Sequence, residues 1–278
     1  MSSTAHVCYV YGIVPSAIDL ASVPAGVDEA RVALEPCEDV AALMSTVDGE
    51  VYAPSSLERS TADVEWMSPR AVAHDRVLTW ASDRGGGAVV PMPMFSLFTG
   101  PAAVQRMLRE RSSQLAETLE RVARGREYAL RVYRVDAELM ESMTAFSPHL
   151  AELASKAAAA TPGQRYLLER KLEDEKRAEM RGVTMEVADA IVSALAVHTI
   201  GAVKSPIPRV TDAAGRGPMV LNAAFLVAPD RLTAFQQTLT SLVEQHGARG
   251  FRFDFTGPWP PYHFAGGEGG GVEAGANA

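Results

Sequence analysis

Thr161-Pro-Gly163 opens a helical pattern that runs to about His198. At 1.5 Å per residue an unbroken helix of that length spans roughly 55 Å, well beyond the ~30 Å of a small domain. Such a chain cannot be one small compact body. The middle of the pattern, Glu173-Asp-Glu-Lys-Arg-Ala-Glu179, is charged on every side. It has no apolar face to bury and is expected to bridge solvent. Beyond it Val183, Val187, Ile191 and Leu195 recur every fourth residue and are expected to dock on the C-terminal half of the chain. The length of 278 residues agrees, since one domain of about 100–150 residues would use only half of it.

The flanks of the helix read as mixed α and β. His6–Val14 is β-branched and aromatic and stops at Pro15, as a central strand does. Arg31–Leu34 and Val40–Val47 read as two more strands. Pro69, after Ser68, is expected at the first turn of a helix to Arg84, with Val72, Val77, Trp80 and Ala81 on its stripe. Gly85-Gly-Gly87 is expected to stop it. A second helix from Pro101 to Arg124 carries Val104, Leu108, Leu115, Leu119 and Val122 on one face. Glu127–Val135 reads as a strand. Pro218–Val227 reads as a buried strand, followed by a helix with Leu232, Phe235, Leu239, Leu242 and Val243 on one face. Phe251, Phe253 and Phe255 then alternate with Arg252, Asp254 and Thr256, the pattern of a half-buried strand.

These patterns predict an α+β chain of two domains, each a partly ferredoxin-like antiparallel sheet with helices on one face, joined by the long helical segment. The expected boundaries are residues 1–135, 136–199 and 200–264, with a disordered Gly-rich tail at 265–278.

Composition removes several function classes. Lys+Arg 26 against Asp+Glu 34 gives a net charge of −8, which does not draw the chain to nucleic acid or anionic lipid. Cys8 and Cys37 form no CxxC pair and no disulfide framework, so a reducing compartment is expected. The uncharged run Ala190–Val203, at fourteen residues, is too short to span a bilayer. The first arginine is Arg31, so no signal peptide is expected and the protein is read as cytoplasmic. The six histidines show no i, i+4 metal pair, and no phosphate loop or nucleophile elbow is present, so no cofactor and no catalytic residue are expected. Two rivals remain open. One is a cryptic enzyme with a cleft holding His74, Asp75 or Glu179. The other is an RNA-binding module built on the arginines between Arg106 and Arg134, with Tyr128 and Tyr133 to stack on bases.

Two segments are unlike generic core. In Val89-Val-Pro-Met-Pro-Met-Phe-Ser-Leu-Phe-Thr-Gly100 two prolines lack the N–H that a mid-sheet strand needs. The segment must be an edge or a loop, and it carries Met92, Met94, Phe95 and Phe98 either as a roof on the core or as an adaptable docking patch. In Thr256-Gly-Pro-Trp-Pro-Pro-Tyr-His-Phe264 the prolines stiffen the backbone and Trp259, Tyr262 and Phe264 hang from it, as a lid or as anchors for a partner.

Together with Tyr9-Val-Tyr-Gly-Ile13 and with Pro162-Gly163, Tyr166-Leu167 and Lys171, these two segments resemble the gas vesicle protein family GvpL/GvpF over about residues 5–264. Many members carry Arg-Phe-Gly-Thr where this chain has Pro93-Met94-Phe95-Ser96, which leaves that loop an apolar role here. The resemblance implies a non-enzymatic accessory protein of gas vesicle assembly with two α/β domains. It implies as partners the small hydrophobic major shell protein and other gas vesicle accessory proteins, with no nucleic acid and no lipid membrane. The expected location is the cytoplasm and the gas vesicle. Met92, Met94, Phe95, Phe98, Trp259, Tyr262 and Phe264 are the expected partner-binding residues.

Overall fold

The computed structural model describes residues 6–84, 88–208 and 215–266. The glycine stop at 85–87 and residues 267–278 of the expected tail lie outside them, whereas Ala265, expected to begin that disordered tail, is buried in a hydrophobic core. The chain forms two compact units. One joins the residues up to Glu127 with those from Pro258 onward; the other is Tyr128–Gly257. These units do not coincide with the boundaries 1–135, 136–199 and 200–264.

The first unit is built on β1 (His6–Pro15), β2 (Val32–Cys37) and β3 (Val40–Asp48), then α1 (Pro54–Ser60), α2 (Val64–Arg84), β4 (Val90–Pro91), β5 (Leu97–Phe98) and α3 (Pro101–Ala123). The sheet order is β2-β3-β1-β4, with β5 also on β1 and every pairing antiparallel. Nearly every β1 side chain is apolar, so both faces need cover. Cys8, Val10, Met44 and Val90 pack with Val104, Leu108, Leu115 and Leu119 of α3. Tyr9, Tyr11, Leu43 and Val47 pack with Val77, Leu78 and Ala81 of α2. The expectation of helices on one face is therefore exceeded here, because alternate residues of β1 feed two cores. Gly12 is needed at the crowded point of β1. A Cβ there would come within 2.9 Å of both Leu78 Cδ2 and the Val90 carbonyl oxygen.

Two details of α2 differ from the sequence expectation. Pro69 lies inside the helix rather than at its first turn. Arg70 donates from its guanidinium to the Trp66 carbonyl at 2.9 Å, within the turn where the proline has no N–H to give. Val72, placed on the apolar stripe, is 52% exposed, since the buried face runs through His74, Val77, Leu78 and Ala81.

The second unit holds β6 (Arg126–Arg134), α4 (Asp136–Ser142), α5 (Pro148–Ala159), α6 (Pro162–Ala196), β7 (Gly201–Lys204), β8 (Met219–Val227), α7 (Leu232–Gly247) and β9 (Phe251–Trp259). The chain passes between units inside β6, after Glu127, and again inside β9, after Gly257. The sheet order is β7-β8-β6-β9. β6, which closes the N-terminal half in the sequence reading, thus pairs in the second sheet. Tyr128, Leu130 and Val132 of β6, Phe225 of β8 and Phe251 of β9 share a core with Ile191 and Leu195 of α6 and Phe235 of α7. The charged middle of α6 is covered along one side, while Asp174, Arg177 and Ala178 stay exposed. Leu172 and Met180 reach the core, α5 pairs along the helix, and His149 binds Glu175 across that pair. Val243, assigned to the buried face of α7, is exposed.

Candidate partner-binding surface

The loop between β4 and β5 is an edge strand interrupted by a bulge. Met92 N–H donates to the Tyr11 carbonyl and Val10 N–H to the Ser96 carbonyl, both at 2.9 Å. Between them the ladder opens at Pro93, which has no N–H to give, whereas Pro91 stays in β4 opposite Gly12, as an edge strand allows. The bulge is closed on itself, since the Pro93 carbonyl accepts from Ser96 N–H at 3.2 Å and from Ser96 Oγ at 2.8 Å. Phe95 sits at φ 62°, a strained conformation for an aromatic residue. That turn sends its ring inward.

An aromatic cluster receives it. Phe95 stacks on Trp66 with centroids 5.7 Å apart and meets Tyr9 edge-on at 6.1 Å. Tyr52 packs on Tyr9 at 5.9 Å and donates its hydroxyl to Asp28 at 2.8 Å. Arg70 lies over Trp66 at 4.0 Å and pairs with Asp28 at 2.5 Å. His74, buried on α2, links the cluster to the loop. Its Nδ1 accepts from the Tyr9 hydroxyl at 2.9 Å, and its ring also hydrogen-bonds the Met92 backbone. The Tyr9 hydroxyl in turn accepts from Phe95 N–H at 3.3 Å. Burial lowers the His74 pKa from 6.5 to about 4, so the ring is neutral at pH 7.

The segment after β9 is a strap on the first unit. Pro260, Pro261 and Ala265 are buried, and Ala265 joins the core beside α3. Tyr262 N–H donates to the Pro260 carbonyl at 2.7 Å and Ala265 N–H to the Pro261 carbonyl at 2.9 Å, a compact turn. Three ties fix it. Arg121 donates to the Phe264 carbonyl at 3.1 Å. The Tyr262 hydroxyl donates to Asp75 at 3.1 Å. Glu127, only 2% exposed, receives the His263 N–H at 2.9 Å on one oxygen and the His263 ring at 2.7 Å on the other. The Glu127 bond raises the His263 pKa; burial raises that of the Tyr262 hydroxyl, with Asp75 adding to it.

A cavity of about 340 Å³ lies between α2, the β4–β5 loop and the strap, lined by Ala71, Asp75, Pro91, Met94, Tyr262 and Ala265 among others. The expected residues divide accordingly. Met92 is 4% exposed and belongs to the core. Phe95 and Phe98 are half-buried, one against each face of the sheet. Phe264 is also half-buried, and Met94 is half-buried at the cavity wall. Trp259 and Tyr262 stay open, at 41% and 42%. Sequence reasoning missed Glu127, which reads as one acid among interleaved arginines; no periodic signal marks it.

The open alternatives meet concrete geometry. His74 and Asp75 do share a cavity, but hydrogen bonds to Tyr9 and Met92 engage the His74 ring. Glu179 lies on α6, in the other unit. Tyr128 and Tyr133, the bases' expected stacking partners, are buried. Among the described residues no group of three or more His, Cys, Asp or Glu could hold a metal ion, and no helix is long and apolar enough to cross a membrane.

The family model described as gas vesicle synthesis protein GvpL/GvpF matches residues 7–266. The chain belongs to this family. Gas vesicle protein L1 of Halobacterium salinarum is 26% identical, covering 86% of this chain and 83% of that one. Gas vesicle protein L of a Streptomyces species is 27% identical, covering 82% and 80%. The crystal structure of GvpF from an Anabaena species superposes with a TM-score of 0.65 at 19% identity, covering 94% of this chain and 96% of that one. GvpF from Microcystis aeruginosa gives 0.63 at 20%, covering 94% and 99%. Those two likenesses show the fold: two antiparallel sheets in an α+β chain.

Proposed function

We propose that this GvpL/GvpF-family protein is a non-enzymatic, cytoplasmic assembly factor that binds the small hydrophobic gas vesicle shell protein and aids its incorporation. Other gas vesicle accessory proteins are further partners. The observation that carries the reading is the strap. Two large aromatic side chains, Trp259 and Tyr262, stay over two-fifths exposed on a proline-stiffened segment tied down by a buried carboxylate. Two aromatics left open on an ordered backbone are what a partner-binding surface presents. A pre-ordered backbone loses little entropy on binding, and Trp and Tyr are the commonest interface anchors. Met94 extends this apolar surface, while Met92, Phe95, Phe98 and Phe264 hold its shape from beneath.

The test is co-expression with the tagged shell protein. Replacing Trp259 and Tyr262 together by Ala should reduce soluble co-purified complex by about tenfold or more, the effect of losing one anchor of ~1.4 kcal/mol or greater, with the far-UV spectrum unchanged. Undiminished capture by a folded double variant would leave the strap as a lid and overturn the reading.

A further inference from the structure

The strap does not fill the space it covers. Beneath Tyr262 and Ala265 remain about 340 Å³, walled by Pro91, Met92, Pro93, Met94 and Ala71. An apolar cavity of roughly 150 Å³ already takes a benzene ring, so this one has room for a two-ring side chain. Most of its wall is apolar. The His74 ring at the wall is committed to Tyr9 and Met92 and offers no free polar group. The remaining polar side chains of the wall are Tyr262, through its hydroxyl, and Asp75, which is exposed and accepts from that hydroxyl on Oδ1. Methionine walls adapt to the shape of what enters.

We infer that this cavity is a socket for one bulky apolar side chain of the protein partner, flanked by a basic group that pairs with Asp75. The inference rests on the partner-binding reading above and names what the partner must present. The socket takes a tryptophan, phenylalanine or branched aliphatic side chain next to a lysine, an arginine or a free amine. Tyr262 forms its outer wall, so the exposed aromatics and the socket act as one surface.

The test needs no shell protein. The full chain carrying ¹³C-methyl methionine is titrated with L-tryptophanamide, a ring with a cationic amine, and separately with N-acetyl-L-tryptophan, the same ring with a carboxylate. Tryptophanamide should shift the Met92 and Met94 methyl signals with a dissociation constant on the order of 1–10 mM, while Met143, in the other core, stays still. The anionic analogue should bind about fivefold more weakly, the worth of one partly exposed ion pair. Ala71→Trp, which fills the socket from α2, should abolish the shifts. Ala71→Leu, a smaller change in case the first variant fails to fold, should weaken them. Absence of shifts at Met92 and Met94, equal binding of both analogues, or binding unaltered in a folded Ala71 variant would overturn the socket. Loss of the socket with the Trp259 and Tyr262 effect on shell-protein capture intact would leave the broader reading standing; the reverse pattern would remove that reading alone.

Discussion

The two units share one strand order and differ in what covers it. Taking strands in chain order, both sheets place the fourth beside the first, then the third, then the second, as a ferredoxin-like unit does. In the second unit the first crossover is a long helical excursion, α4 to α6, and one apolar face lies under α6 and α7. In the first unit that crossover is residues 16–31, a loop with a single 3₁₀ turn pinned by Tyr11, whose hydroxyl accepts the Val27 N–H at 2.9 Å. Lacking that helix, the first sheet is covered by α2 on one side and α3 with the strap on the other. The lesson is that a shared topology leaves the covering layer free to vary. Here the variation supplies the edge loop, the strap and the exposed aromatics.

The largest effect should come from the cores. Phe225→Ala in the second unit and Leu78→Ala in the first remove fully buried side chains and should cost about 3–5 and 2–5 kcal/mol. Chemical denaturation reads both; a loss below 1 kcal/mol at either position would contradict the packing described. The next effect belongs to the first unit alone. His74 has its folded pKa depressed from 6.5 to about 4, so between those values the unfolded chain binds more protons. Its contribution is therefore complete above pH 6.5 and is lost as pH falls toward 4, by about 3 kcal/mol. Thermal melts across that window should show the decline, and His74→Phe should flatten it. The smallest effect has the opposite sign. His263 has a raised pKa through Glu127, so its contribution is complete below the ordinary imidazole value of 6.5 and is lost as pH rises through the folded value. His263→Ala should cost about 1 kcal/mol, a charged hydrogen bond discounted for the half-open ring. Amide exchange in residues 260–265 should quicken in that variant and, for the wild type, at alkaline pH.

Much of the framework was legible because it follows from periodicity. The stripe Val104, Leu108, Leu115, Leu119 and Val122 is buried as its 3.6-residue spacing requires, and Phe251, Phe253 and Phe255 all reach one core. The two prolines placed the segment at an edge or in a loop by chemistry alone, and the structure keeps Pro91 in the edge strand and Pro93 in the bulge. Other features escaped for physical reasons. An alternating strand carries no label for its sheet, which is why β6 reads as part of the first half. Burial of Tyr128 and Tyr133 depends on partners far along the chain; Phe255 stacks on one ring at 5.4 Å and Arg216 lies over the other at 4.4 Å. The surface around Trp259 was legible only as a set of residue types. The tie from Glu127 to His263, across more than a hundred residues, leaves no local trace.

Hydrogen–deuterium exchange of the full chain, with and without bound shell protein, tests the central claim most directly. Slowed exchange concentrated in residues 92–98 and 259–265 is the predicted result. Unchanged exchange there, with protection instead at the exposed Tyr166 and Leu167 of α6, would contradict it.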